Sequence, residues 1–174
     1  GSSCATNSIS EFPLTSSNTY ATDITSGPDG NLWFVENIGD KVGRITPGGT
    51  ITEFYVPQPR GITKGPDGNL WVTEGGNKIG RITPTGTLTE FDIPTLNSYP
   101  IGITKGPDGN LWFTEHVGNK IGRITPSGVF TEFPLPNSNS YVYHITAGAD
   151  GNLWFTERDV NKIGRITPSG TITE

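Results

Sequence analysis

One unit of about 40 residues is written four times in this chain, and its clearest line is Ile24-Thr25-Ser26-Gly27-Pro28-Asp29-Gly30-Asn31-Leu32-Trp33-Phe34. The line returns from Ile62, Ile103 and Ile145, at spacings of 38, 41 and 42 residues. A repeat of this length, holding several short β-rich runs, buries its apolar face only against copies of itself. It therefore predicts an all-β propeller and not a single conventional core.

The third unit shows how the strands are cut. Ile103-Thr104 opens strand a, and Pro107-Asp108-Gly109 turns the chain into strand b, Leu111 to Glu115. Pro presets φ near −65° and Gly accepts a positive φ, which is what a tight turn needs. The stretch from His116 to Asn119 reverses the chain into strand c, Lys120 to Ile124, and Pro126-Ser127-Gly128 reverses it again into strand d, Val129 to Phe133. Applied to every unit, this predicts four-stranded antiparallel blades near 24–54, 62–91, 103–133 and 145–174. They lie in a repeat region 9–174 after a short tail, an appended remnant or the end of a leader at 1–8. Trp33, Trp71, Trp112 and Trp154 recur mid-strand between apolar neighbours, so blade-to-blade packing is their expected use.

Strand d is written five times, beginning with Ile9-Ser10-Glu11-Phe12. Segment 9–14 thus reads as an extra outer strand for ring closure, in competition with Ile172-Thr173-Glu174. Unpaired edges invite association, and two closures satisfy them. Four blades can close alone, or two chains can join into an eight-bladed homodimer; the two-fold assembly is favoured. A third arrangement makes the chain part of a longer propeller.

The two faces of the disc differ. The Pro-Asp-Gly turns hardly vary, whereas Asn37-Ile38, Gly75-Gly76, His116-Val117 and Arg158-Asp159 follow strand b in the successive units. Varied loops on a constant scaffold mark the face where binding is expected. Three units carry a Tyr four residues before the repeat's Ile, at Tyr20, Tyr99 and Tyr141, with Gln58 in the fourth. Rigid aromatic area beside Ser and Asn suits a glycan or a peptide. The candidate ligand-binding rim is Tyr20, Arg60, Tyr99, Tyr141, Tyr143 and Arg158.

Composition excludes two partners. The net charge is −5, and the 12 Lys and Arg residues recur at equivalent places; a nucleic-acid backbone needs a basic stripe. No apolar run approaches the roughly 20 residues of a membrane span. Cys4 is the one cysteine, so an intrachain disulfide is ruled out and a lipid-anchored cysteine is one reading of its place. A secreted or cell-envelope location is favoured over the cytoplasm.

At Asp108 to Glu115 with Asn119 to Pro126, and again at Asp150 to Glu157 with Asn161 to Pro168, the chain resembles the streptogramin B lyase (virginiamycin B lyase) family. The resemblance runs through nearly all of 9–174. It implies a propeller, seven-bladed in the family, that opens the lactone of a cyclic peptide antibiotic by Mg²⁺-assisted elimination. The family's catalytic histidines stand two residues before the repeat's Ile, where this chain has Thr22, Arg60, Ile101 and Tyr143; on that ground Thr22 and Ile101 join the candidate ligand-binding residues. His144 comes one residue later, and a single step along a strand is expected to turn it to the opposite face. The family's acid at the end of strand b is matched by Glu36, Glu74, Glu115 and Glu157. These four read as scaffold groups paired with Lys41, Lys78, Lys120 and Lys162, or as a site for Mg²⁺ or Ca²⁺ if they converge.

The favoured reading is a ligand-binding or scaffold propeller without chemistry, for which no cofactor is required. The alternatives are a Mg²⁺-dependent lyase, with Glu115 or Glu157 on the metal and His144 or His116 as base, and an architectural array without ligand.

Overall fold

The computed structural model describes residues 8–174, and Cys4 with its candidate anchor lies outside them. Among the described residues sixteen strands form four antiparallel sheets, each taken in chain order from four consecutive strands, as the repeat predicts. Blade 1 is β1 (Ala21–Ser26), β2 (Leu32–Glu36), β3 (Lys41–Ile45) and β4 (Ile51–Tyr55); blade 2 is β5 (Pro59–Lys64), β6 (Leu70–Glu74), β7 (Lys78–Ile82) and β8 (Leu88–Asp92). Blade 3 is β9 (Pro100–Lys105), β10 (Leu111–Glu115), β11 (Lys120–Ile124) and β12 (Phe130–Pro134). Blade 4 is β13 (Val142–Ala147), β14 (Leu153–Glu157), β15 (Lys162–Ile166) and β16 (Ile172–Thr173). The first strands β1, β5, β9 and β13 pack side by side in that order and line the centre.

The invariant turn is an anchor for the core. Asp108 accepts a bond from the Trp112 indole at 2.9 Å and from the Asn110 backbone and side-chain amides, and the other three units repeat this geometry. Burial pushes Asp108 up, but those bonds outweigh it and hold the carboxyl below its ordinary value. The indole, satisfied at its polar edge, then stacks on the strand-d Phe of its own blade: Trp33 on Phe54, Trp71 on Phe91 and Trp112 on Phe133, with ring centres 5.5, 5.7 and 5.5 Å apart. Arg44, Arg81 and Arg123 lie over these pairs and donate to the carbonyls of Pro84, Pro126 and Pro168 in the next blade. Each inter-blade core therefore joins the Trp wall of one blade to the Ile and Leu wall of the next, as Trp33, Val35 and Val42 meet Ile62, Leu70 and Ile82.

The outer walls of the end blades have no such cover. Ile24 is 59% exposed where Ile62, Ile103 and Ile145 are 4, 7 and 8% exposed, and Trp154 is 36% exposed where the other three indoles are buried. The first and last blades do not pack on one another as neighbours do. The lone four-bladed ring weighed from the sequence is therefore not formed. Residues 8–20 form no strand, so the extra outer strand expected at 9–14 is not paired here. Phe12 nevertheless lies against Gly49, as Phe54, Phe91 and Phe133 lie against Gly86, Gly128 and Gly170. The segment thus occupies the place of a preceding strand d.

Candidate functional site

Strand a of every blade carries a register shift where it nears the loop face, between Ala21 and Asp23, Pro59 and Ile62, Phe113 and Glu115 opposite β9, and Val142 and Ile145. A bulge re-aims side chains, and here it overrides the alternation expected for His144. Tyr143 and His144 line the same cavity, with ring centres 4.8 Å apart. That cavity, about 280 Å³ in volume, sits where the four first strands meet, and Thr22, Arg60, Tyr99 and Ile101 also line it. Asn37 of a varied loop completes the lining together with Asp23, Gly61 and Gly102, and these last three were not picked out from the sequence.

The two glycines are there for closeness. A Cβ on Gly61 would run into the Ile101 carbonyl, and one on Gly102 would stand 2.7 Å from the Tyr143 carbonyl. The Pro-Arg-Gly-Ile and Pro-Ile-Gly-Ile runs carried this signal. Thr114 ties the same strands, accepting from the Gly102 amide at 2.9 Å and donating to the Tyr143 carbonyl at 2.9 Å; Thr73 does so for Gly61 and Ile101. Gly102→Ala is expected to lose about 1–3 kcal/mol in urea unfolding, because backbone cannot rotate away from the new methyl. Gly76→Ala, with nothing near its Cβ position, is the neutral control.

The linkers into strand a are fixed from below. Ser98 is buried and bonded through both N–H and hydroxyl to the Asn77 side chain at 2.8 Å, and the Ser140 amide uses Asn119 in the same way. The next residue then takes a left-handed backbone: Tyr20, Gln58, Tyr99 and Tyr141 have φ of 54, 42, 55 and 49°. For a bulky residue this conformation is strained by about 1–3 kcal/mol. It turns Tyr99 toward the cavity, beneath Arg60, whose guanidinium lies 3.3 Å from the ring centre. Burial lowers the Arg60 pKa from its ordinary value, although Tyr99 and Tyr143 partly oppose this.

His116 is ringed by Tyr99, Tyr141 and Tyr143 at 5.9, 5.1 and 5.9 Å. Its Nδ1 stands 3.0 Å from the Val142 carbonyl, which can only accept, so Nδ1 carries a proton and donates it. Tyr141 thus supports the site through His116 and does not line the cavity. Tyr20 and Arg158 lie elsewhere: Tyr20 is 61% exposed, and Arg158 pairs with Asp159 at 2.8 Å beside a second recess on the open wall of blade 4.

Glu36, Glu74, Glu115 and Glu157 are buried, and none of their oxygens has a hydrogen-bond partner among the described residues. They do not converge. Glu74 folds across Gly80 toward Glu90, and Glu115 lies by Gly118 and Ser98 beside Glu132. Burial and those neighbouring carboxylates push both up to about 8. The lysines expected to pair with them bond the strand-d acids instead, Lys78 with Glu90 at 3.2 Å and Lys120 with Glu132 at 3.1 Å. The Glu115, His116 and His144 group is not assembled either, because Glu115 faces into its blade. Among the described residues no three His, Cys, Asp or Glu side chains stand together as a metal site.

With this geometry in view, the chain matches the virginiamycin B lyase family over residues 1–174. It belongs to that family. A virginiamycin B lyase from Staphylococcus aureus shares 49% identity and a TM-score of 0.93, over 98% of this chain and 60% of its own. A catalytically inactive form of the Staphylococcus aureus virginiamycin B lyase with quinupristin shares 51% and 0.90, over 92% of this chain and 57% of its own. Gluconolactonase of Xanthomonas campestris, at 15% identity and TM-score 0.75, shares the fold alone. No curated protein matches. The chain spans about three fifths of the length of its virginiamycin B lyase relatives. Among the described residues no helix is long and apolar enough to cross a membrane.

Proposed function

We propose that these four blades form the ligand-binding wall of a virginiamycin B lyase-type propeller and hold a peptide-like ligand, such as a cyclic depsipeptide, at the central cavity. The observation that carries this is the lining itself. Thr22, Arg60, Ile101 and Tyr143 meet in one cavity with Tyr99; these are the places where the resemblance implies histidines, and none is His. Apart from His144 and the hydrogen-bonded Asp23, the wall offers aromatic area, one arginine and amide donors, which is chemistry for gripping a ligand.

Titrating quinupristin into the protein by calorimetry is expected to show binding that Tyr99→Ala and Tyr143→Ala each weaken by roughly 10-fold, the loss of a stacked aromatic contact of about 1.4 kcal/mol. Unchanged affinity in both variants would remove these residues from the site.

The lyase reading is favoured by one observation, that His144 lines the cavity. The Mg²⁺ it calls for does not fit the residues of these blades, since Glu115 and Glu157 are buried at the ends of separate middle strands and form no cluster. Mg²⁺-dependent opening of quinupristin, abolished by His144→Ala, would reverse the assignment.

A further inference from the structure

Arg60 differs from the arginines that build the scaffold. Arg44, Arg81 and Arg123 each donate Nη1 to a proline carbonyl of the next blade, and Arg158 is paired with Asp159. Arg60 Nη1 is buried without a hydrogen-bond partner, as Nε is in Arg44 and Arg123, but unlike those two Arg60 donates to no backbone carbonyl and forms no ion pair among the described residues. The one carboxylate in the same cavity, Asp23, is occupied: its oxygens accept from the Ile24 and Ile62 amides at 2.9 Å each. Tyr99 holds the guanidinium plane from one side, so its donor edge is fixed before any ligand arrives. With neither a carbonyl nor a carboxylate on it, the guanidinium brings an unpaired planar fork to the cavity lining, and such a fork matches a carboxylate best.

Resting on the ligand-binding reading above, we propose that Arg60 is the carboxylate-recognising group of this cavity, so that the site prefers the open acid of a depsipeptide to its closed lactone. At about 280 Å³ the cavity takes the acid end of such a ligand and not the whole ring. The equivalent positions Thr22, Ile101 and Tyr143 carry no charge, so among these four the charge comes from blade 2 alone.

The test compares three probes by calorimetry at about 0.15 M salt, where the net charge of −5 is largely screened: quinupristin, the acid obtained by alkaline opening of its ester, and the primary amide of that acid. The amide keeps the open shape and lacks the charge. The acid is expected to bind about 10-fold or more tightly than either neutral compound, the range of a charge-assisted bond. Arg60→Gln is expected to abolish the difference and Arg60→Lys to retain part of it, with circular dichroism confirming the fold of each. Equal binding of acid and amide, or a preference that survives in Arg60→Gln, would overturn the assignment and leave the binding reading standing. No binding by any of the three would overturn both.

Discussion

Stability is expected to fall as pH rises from about 5 to about 9, the reverse of what acid-rich proteins usually show. The cause is the pair of buried carboxyls Glu74 and Glu115, each pushed up to about 8 by burial and by the neighbouring Glu90 or Glu132. An acid whose folded value stands above its unfolded one holds more protons in the folded chain. Its contribution is full below the unfolded value of 4.5 and declines as pH rises, until it is lost above about 8. For a shift of this size the upper limit is about 5 kcal/mol per group. On the acid side Asp67, Asp108 and Glu132 act oppositely. Burial raises each, stronger hydrogen bonds hold each below its ordinary value, and their contribution is lost as pH falls through those values. Maximum stability should therefore lie near pH 5. Urea midpoints at about pH 5, 7 and 9 measure it, and Glu74→Gln with Glu115→Gln should flatten the profile. A midpoint that rises steadily to pH 9 would refute the protonated state.

Trp112→Ala is the second large effect, at about 3–5 kcal/mol in denaturant unfolding. The side chain is fully buried, bonded to Asp108 and stacked on Phe133, so its loss opens a cavity between two blades and strands Arg123 above it. Trp154→Ala removes the same residue from the same place in the repeat, but from a wall open to water and without a stacked Phe. It should lose less than half as much. Equal losses would mean that the indole contributes within its own blade and not through the contact with the next.

Reading the sequence worked best where a side chain's duty is local. Pro-Asp-Gly-Asn-Leu-Trp told of a turn, a strand and a packed indole, because all three are fixed within a few residues, and every blade followed. Thr22, Arg60, Ile101 and Tyr143 were named together because the family resemblance marks these equivalent positions, and they do line one cavity. What stayed hidden depended on departures from regular alternation. The shift between Val142 and Ile145 placed His144 beside Tyr143 and not behind it. The glutamates misled for a related reason: neighbouring Glu and Lys suggest a pair, yet Gly80 opened a path for Glu74 across the sheet, and the lysine turned to strand d. Asp23 was missed because its task is to hold the Ile62 amide of the next blade, which no local motif announces.

The one-way character of the blade contacts has a consequence for how the chain comes together. Every core joins a Trp wall to the Ile and Leu wall that follows it, and no blade touches one two places away as it touches its neighbour. Cooperativity in such an array passes only between adjacent units, so order can begin at any blade and spread both ways.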